Sequence, residues 1–172
     1  MRDYKFKNGM STKVDDDIYA KMQGIKWNCN RDVNSGNWYV TTQRKVLRGE
    51  EYVYRKFGLA EFIIGKPEKG LQIDHINQDS LDNRIENLRF CTRSENLRNR
   101  RKMKSCSSKY KGVTRCYKGW RAQIVFNKKN YHLGFYENEM EAAIAYNNAC
   151  LDMYGEFASP NMQRELLNLE TI

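Results

Sequence analysis

The chain has 172 residues, a formal net charge of +9, five cysteines and two histidines. That length suits one full domain or two small ones, and the surplus of Lys and Arg points to an anionic polymer, nucleic acid before membrane, as partner. Cys29, Cys91, Cys106, Cys116 and Cys150 form no Cys-x-x-Cys pair, so neither a structural zinc nor a secreted disulfide framework is expected. The polar N-terminus lacks a signal-peptide core and no apolar run reaches bilayer length, which predicts a cytoplasmic protein without a membrane partner.

Residues 1–14 read as loosely ordered or strand-like. Asp15, Asp16 and Asp17 suit the start of a helix, where acidic side chains meet the positive end of the dipole, and Ile18, Met22 and Ile25 give it an apolar side. Residues 25–30 alternate as a half-buried strand. A turn at Asn34-Ser35-Gly36 leads to a return strand over 37–42, with Trp27, Trp38 and Tyr39 packed there. Residues 43–53, with Arg44, Lys45 and Arg48, read as a basic loop. Tyr54, Phe57, Ala60 and Ile64 recur at helical spacing before Gly65 and Pro67, which predicts a helix over 54–64.

A strand follows at 71–74, then a polar loop over 76–87 and a second apolar run over 88–91. Thr92 or Ser94 can cap a helix reaching about Lys102. From Leu97 to Tyr136 there are twelve basic residues and no acidic one, a one-sidedness that favours phosphate contact over an ordinary solvated face. Within that segment, residues 110–136 alternate as three strands. Asn138 and Glu141 form a capping box for a helix ended by Gly155, with Met140, Ala143, Ile144, Asn147, Leu151 and Tyr154 along one side. Three antiparallel strands covered on one face by this helix would leave a basic face open.

The chemistry concentrates between Asp74 and Asn96. Cutting a phosphodiester needs a water to lose a proton while charge on the phosphate and leaving oxygen is neutralised; a hard divalent ion serves the second need. Magnesium takes oxygen ligands and keeps several waters, so the Asp74 carboxylate and the Asn96 amide are a sufficient protein share. His75, one of two histidines, is the candidate general base. A kink after Asp74 would bring both side chains toward the ion. Asn87 is expected to tie down the loop and hold the His75 backbone, while Asn77, Asn83 and Asn99 read as turn or cap residues.

The run D-H-I-N-Q-D-S-L-D-N-R-I-E-N-L-R-F-C-T-R-S-E-N resembles the HNH nucleases of phage and intron homing type, over about residues 52–100. That resemblance implies a ββα-metal fold, Asp74 and Asn96 as ligands of Mg2+ or Mn2+, His75 as general base and Asn87 as the middle asparagine of the catalytic motif. Residues 107–161 resemble a second family, the plant ethylene-response-factor (apetala-two) DNA-binding domain, through S-K-Y-K-G-V, G-W-R-A-Q-I, H-L-G-F-Y and A-A-I-A-Y-N-N-A. This second resemblance implies a sheet in the major groove, with Lys111, Arg115, Gln123 and His132 among the contacting side chains and Lys118 and Arg121 close by. Arg98 and Arg101 join the expected DNA-binding set from the basic segment.

The expected fold is α+β: an HNH nuclease domain over 1–102, with N-terminal strands leading into a ββα-metal core at about 52–102, a basic linker over 103–109, a three-stranded sheet packed on one helix over 110–160, and a tail. The expected function is a metal-dependent, site-directed endonuclease on double-stranded DNA, of homing type, acting as a monomer on an asymmetric site. The alternative is a DNA-binding regulator with an inert nuclease module.

Overall fold

The computed structural model describes residues 1–33, 35–100 and 106–161. Asn34, Arg101, Lys102, part of the 103–109 linker and the tail beyond 161 lie outside them; the helix expected to reach about Lys102 ends at Arg98, with Asn99 and Arg100 already past it. The chain is mixed α+β, rich in strands, and divides into two compact units, Met1–Asn96 and Leu97–Ile172.

The first unit opens with a hairpin, β1 (Arg2–Lys5) and β2 (Ser11–Val14), more ordered than its polar sequence suggested. It is held because Phe6 and Val14 reach the core that Ile18, Met22, Trp27, Cys29, Val40 and Leu59 complete. Helix α1 (Asp16–Met22) turns Ile18 and Met22 inward, as the spacing requires. Strand β3 (Asn28–Arg31) pairs with β4 (Trp38–Arg48), which pairs in turn with β5 (Glu51–Gly58). Trp27 is core and Trp38 packs against it, whereas Tyr39, on the other side of the pleat, is exposed.

Two expectations fail here. The expected basic loop over 43–53 and the first turns of the expected helix over 54–64 form one long ribbon, β4–β5, closed by a two-residue turn with Gly49 at φ 63°. The cross-strand pairs Val46–Val53 and Leu47–Tyr52 are branched or aromatic, the types that suit a pleated surface. Tyr54 sits at helical spacing from Phe57 and Ile64 but is exposed, so its spacing carries no burial. The helix, α2, starts at Leu59 and ends at Ile64.

Strand β6 (Leu71–His75) pairs antiparallel with β7 (Leu88–Thr92), and α3 (Arg93–Arg98) follows at once. Thr92 and Glu95 make a capping box: Glu95 N–H donates to Thr92 Oγ1 at 3.3 Å, and Thr92 N–H donates to Glu95 Oε2 at 2.7 Å. The loop between the strands is sewn to the first hairpin. Lys13 N–H donates to the Leu81 carbonyl, Asn83 N–H to the Lys13 carbonyl, and Ile85 N–H to Asp15 Oδ2, each at 2.8 Å.

The second unit has the sheet order β10–β9–β8, built from β8 (Val113–Cys116), β9 (Gly119–Phe126) and β10 (Lys129–Tyr136), with α4 (Glu139–Tyr154) packed on one face. Asn138 caps α4 by accepting the Glu141 N–H at 2.8 Å. The buried stripe of α4 keeps the expected Ala143 and Asn147 and adds Ala142 and Cys150, whereas the expected Met140 is exposed. Small residues face the sheet because the helix lies close to it. Gly112, at φ 68°, has no room for a side chain: a Cβ would stand 2.0 Å from the Tyr146 ring and 2.5 Å from the Gln123 carbonyl oxygen.

Candidate functional site

The antiparallel register sets Asp74 opposite Arg89 and Gln72 opposite Cys91. Strand alternation puts these four side chains on one face of the hairpin. Asp74 is buried, and Arg89 reaches its Oδ2 through Nε at 3.1 Å and Nη2 at 2.9 Å. Cys91 is also buried, and burial pushes its thiol above the usual range, with the nearby Asp74 charge adding to the effect. From α3, the Asn96 Nδ2 donates to Gln72 Oε1 at 2.9 Å. Asn96 is therefore oriented by a side chain two residues from Asp74 on the same strand face, with its amide oxygen left as an acceptor.

These two oxygen donors suit a hard cation that retains solvent ligands. Among the described residues no three His, Cys, Asp or Glu side chains cluster to hold a metal. An ion held by Asp74 and Asn96 would need non-protein oxygens to complete its shell. Asp74 carries an arginine in this structure, so any cation bound there would address the charge that Arg89 already holds.

His75 is the last residue of β6 and pairs with Leu88, so the ladder continues past Asp74 without the expected kink. Its Nε2 lies 3.2 Å from Asn83 Oδ1. Burial lowers the pKa of the ring; the Asn83 hydrogen bond and the Asp74, Asp79 and Asp82 charges oppose that shift without reversing it. Near neutral pH the imidazole is therefore largely uncharged, the state a base requires.

Asn87 is buried, and it fastens the backbone just after His75 rather than at His75. Its carbonyl accepts the Ile76 N–H at 2.9 Å, and its Oδ1 accepts the Asn77 N–H at 2.9 Å. Its Nδ2 donates to Asn77 Oδ1 at 3.0 Å and to the Asp82 carbonyl at 2.7 Å. Asp82 in turn takes Arg84 through Nε at 2.8 Å and Nη2 at 2.7 Å; that hydrogen-bonded pairing holds its carboxyl below the usual range. A polar loop thus becomes a rigid one.

Sequence reasoning passed over Asn83 as a turn residue, yet it is buried and touches the imidazole. A sign was available: the D-N pair inside an otherwise solvated loop. The ribbon β4–β5 was missed as well. It sets Arg44 directly opposite Arg55, and Lys45 opposite Tyr54.

In the second unit, alternation from buried Ala122 and Ile124 puts Arg121 and Gln123 on the open sheet face, where the register adds His132 and Phe135. Arg121 Nε is buried and has no hydrogen-bond partner among the described residues. Arg115 lies across from Trp120, its guanidinium carbon 5.1 Å from the ring centroid, on the helix-facing side. Lys118 is in the exposed β8–β9 turn, and Arg98 closes α3. The open face therefore carries fewer cations than expected.

Lys111 departs furthest from its expected place. Its ammonium donates inward to the Ser159 carbonyl at 2.9 Å and to Ser159 Oγ at 2.6 Å, and burial lowers its pKa. Asn161 clamps the Lys111 backbone, accepting its N–H at 2.6 Å and donating to its carbonyl at 3.0 Å.

The segment that carries this geometry, residues 59–98 from α2 through α3, matches the HNH endonuclease family. Over 159 residues the chain is 29% identical to an uncharacterized HNH endonuclease, L560, of Acanthamoeba polyphaga mimivirus, covering 86% of this chain and 83% of that protein. These similarities support a nuclease of HNH type. The chain is also 26% identical over 155 residues to APETALA2-like protein 2 of Oryza sativa, in subspecies indica and japonica; that match covers 85% of this chain but 32% of the plant protein.

Proposed function

We propose that this chain is a metal-dependent DNA endonuclease of HNH type that hydrolyses one phosphodiester bond at each turnover, as a site-directed, homing enzyme. The observation that carries the reading is the β6–β7–α3 arrangement: Asp74 lies on the same strand face as Gln72, Gln72 Oε1 accepts from Asn96 on α3, and the next residue of β6 is a largely neutral, side-chain-held histidine. His75 takes a proton from a water, and the water oxygen attacks phosphorus in line. The P–O3′ bond breaks, and the leaving O3′ takes a proton from a solvent water to end as a 3′-hydroxyl opposite a 5′-phosphate. Asp74 and Asn96 would hold one divalent ion, which when bound neutralises charge on the phosphate and leaving oxygen. In the second unit, Arg121, Gln123 and His132 on the open sheet offer cationic and hydrogen-bonding contacts to duplex DNA; in the first unit, the basic ribbon β4–β5 separately offers cations to phosphates.

Supercoiled plasmid tests this directly. The expected result is nicking that needs Mg2+ or Mn2+, stops with EDTA, and is lost in His75→Ala while binding persists. A second reading, a DNA-binding regulator with an inert module, draws on the Asp74–Arg89 ion pair, which holds the carboxylate a metal would need. Tight, metal-independent DNA binding without a nick at any divalent ion concentration would establish that reading instead.

A further inference from the structure

The side chain of Asn83 is fixed in direction by its neighbours. Its Nδ2 donates to the Ser80 carbonyl at 3.3 Å and to Thr12 Oγ1 at 2.9 Å. A carbonyl oxygen can only accept, so the amide nitrogen, and not the amide oxygen, must face Ser80. Thr12 Oγ1 gives its one proton to the Leu81 carbonyl at 2.7 Å, so toward Asn83 it too can only accept. Both constraints turn Asn83 Oδ1 to His75 Nε2, 3.2 Å away. An amide oxygen has no proton to give. Nε2 must therefore carry one, and the neutral ring keeps its lone pair on Nδ1.

The backbone repeats the message. Asn83 N–H donates to the Lys13 carbonyl at 2.8 Å, so strand β2 grips Asn83 by main chain and by the Thr12 side chain together. Asn83 is buried, and rotating its amide would put oxygen against the Ser80 carbonyl and against Thr12 Oγ1, whose proton already goes to the Leu81 carbonyl.

We propose that Asn83, set by Thr12 and the Ser80 carbonyl, is a positioning residue that holds His75 in its Nε2–H form and so makes Nδ1 the atom that accepts the proton from water. The catalytic half of this rests on His75 being the general base; the hydrogen-bond half does not. The N-terminal hairpin, outside the matched segment 59–98, thereby becomes part of the active-site apparatus.

The test uses the full-length 15N-labelled chain without metal, at mildly alkaline pH, and reads the two-bond 1H–15N couplings of the imidazoles. With two histidines in the chain, His132 serves as the internal control. The expected wild-type spectrum shows His75 protonated at Nε2. In Asn83→Ala the His75 signals move toward a mixture of tautomers while those of His132 stay, and kcat for nicking falls roughly 10- to 100-fold with KM for DNA unchanged. Thr12→Val gives a smaller shift in the same direction, and Thr12→Ser restores the wild-type spectrum. If Asn83→Ala does not fold, the Thr12 pair decides. A wild-type His75 protonated at Nδ1, or a tautomer unmoved by Asn83→Ala and by Thr12→Val, overturns the proposal. A folded wild type that never nicks defeats the nuclease reading, and the metal-free spectra then decide by themselves whether Asn83 sets the ring.

Discussion

Arg89→Met isolates the charge that sits where a cation is expected. In the native hairpin the guanidinium lies 2.9 Å from Asp74 Oδ2, with the two side chains 15% and 7% exposed. Methionine keeps an apolar stem of similar reach and removes the positive charge. Breaking a buried pair costs about 3–5 kcal/mol, and the partial exposure of Arg89 favours the lower end. For a unit of this size about 3 kcal/mol corresponds to a melting temperature roughly 12–24 °C lower. A divalent ion bound at Asp74 restores a counter-charge, and at a concentration of about 100 times its Kd it returns about 2.7 kcal/mol. Wild type gains less from the same ion, because Arg89 must first give way. The assay is thermal unfolding, followed through the β6 and β7 amides, with EDTA and with excess magnesium. A metal-free variant melting within about 2 °C of wild type, or equal magnesium-induced rises in the two proteins, refutes the view that Arg89 and the ion address one carboxylate.

His75→Ala should lower nicking by about 10²–10⁴-fold without weakening DNA binding in a gel-shift assay. Because burial lowers the His75 pKa, the acid limb of the wild-type nicking profile should fall below about pH 6.5, the ordinary imidazole value. The sign for stability follows: a group that binds its proton less readily when folded contributes stability fully present above about pH 6.5, and lost as pH falls from there through the lower folded-state pKa. The urea midpoint of wild type should therefore drop across that window more than that of His75→Ala. Gly112→Ala should cost upwards of about 3 kcal/mol, since the left-handed backbone and the collision with Tyr146 and the Gln123 carbonyl add; loss of the second unit's dispersed NMR signals, with the first unit's retained, measures it. Lys111→Ala should destabilise the second unit, because its ammonium serves Ser159, and should leave the salt slope of DNA binding nearly unchanged. A slope flatter by about one would restore Lys111 to the phosphate-contacting set.

The strand–loop–strand–helix order around His75 was legible because each element announces itself locally: the apolar runs are short, and Thr92 and Glu95 stand at capping distance. The sheet and helix of the second unit were legible for the same reason, through Asn138 and Glu141. What escaped depended on partners far along the chain. Tyr54 and Phe57 fit a helical period equally well until Lys45 and Thr42 are seen across from them in a ribbon. Asn83 looked like any loop asparagine because its acceptor, Thr12, is 71 residues away. The direction of the Lys111 side chain depended on Ser159, and the choice between phosphate and serine is not written at the lysine itself.

The stitch between the first hairpin and the 76–87 loop also has a consequence for when the first unit completes itself during synthesis. Thr12 and Lys13 cannot meet Leu81 and Asn83 until about seventy further residues have been made, and such distant closures form late. The Asn83–His75 contact therefore waits for a closure that spans most of the first unit. A nascent chain stalled before the loop emerges has Thr12 and Lys13 without these partners.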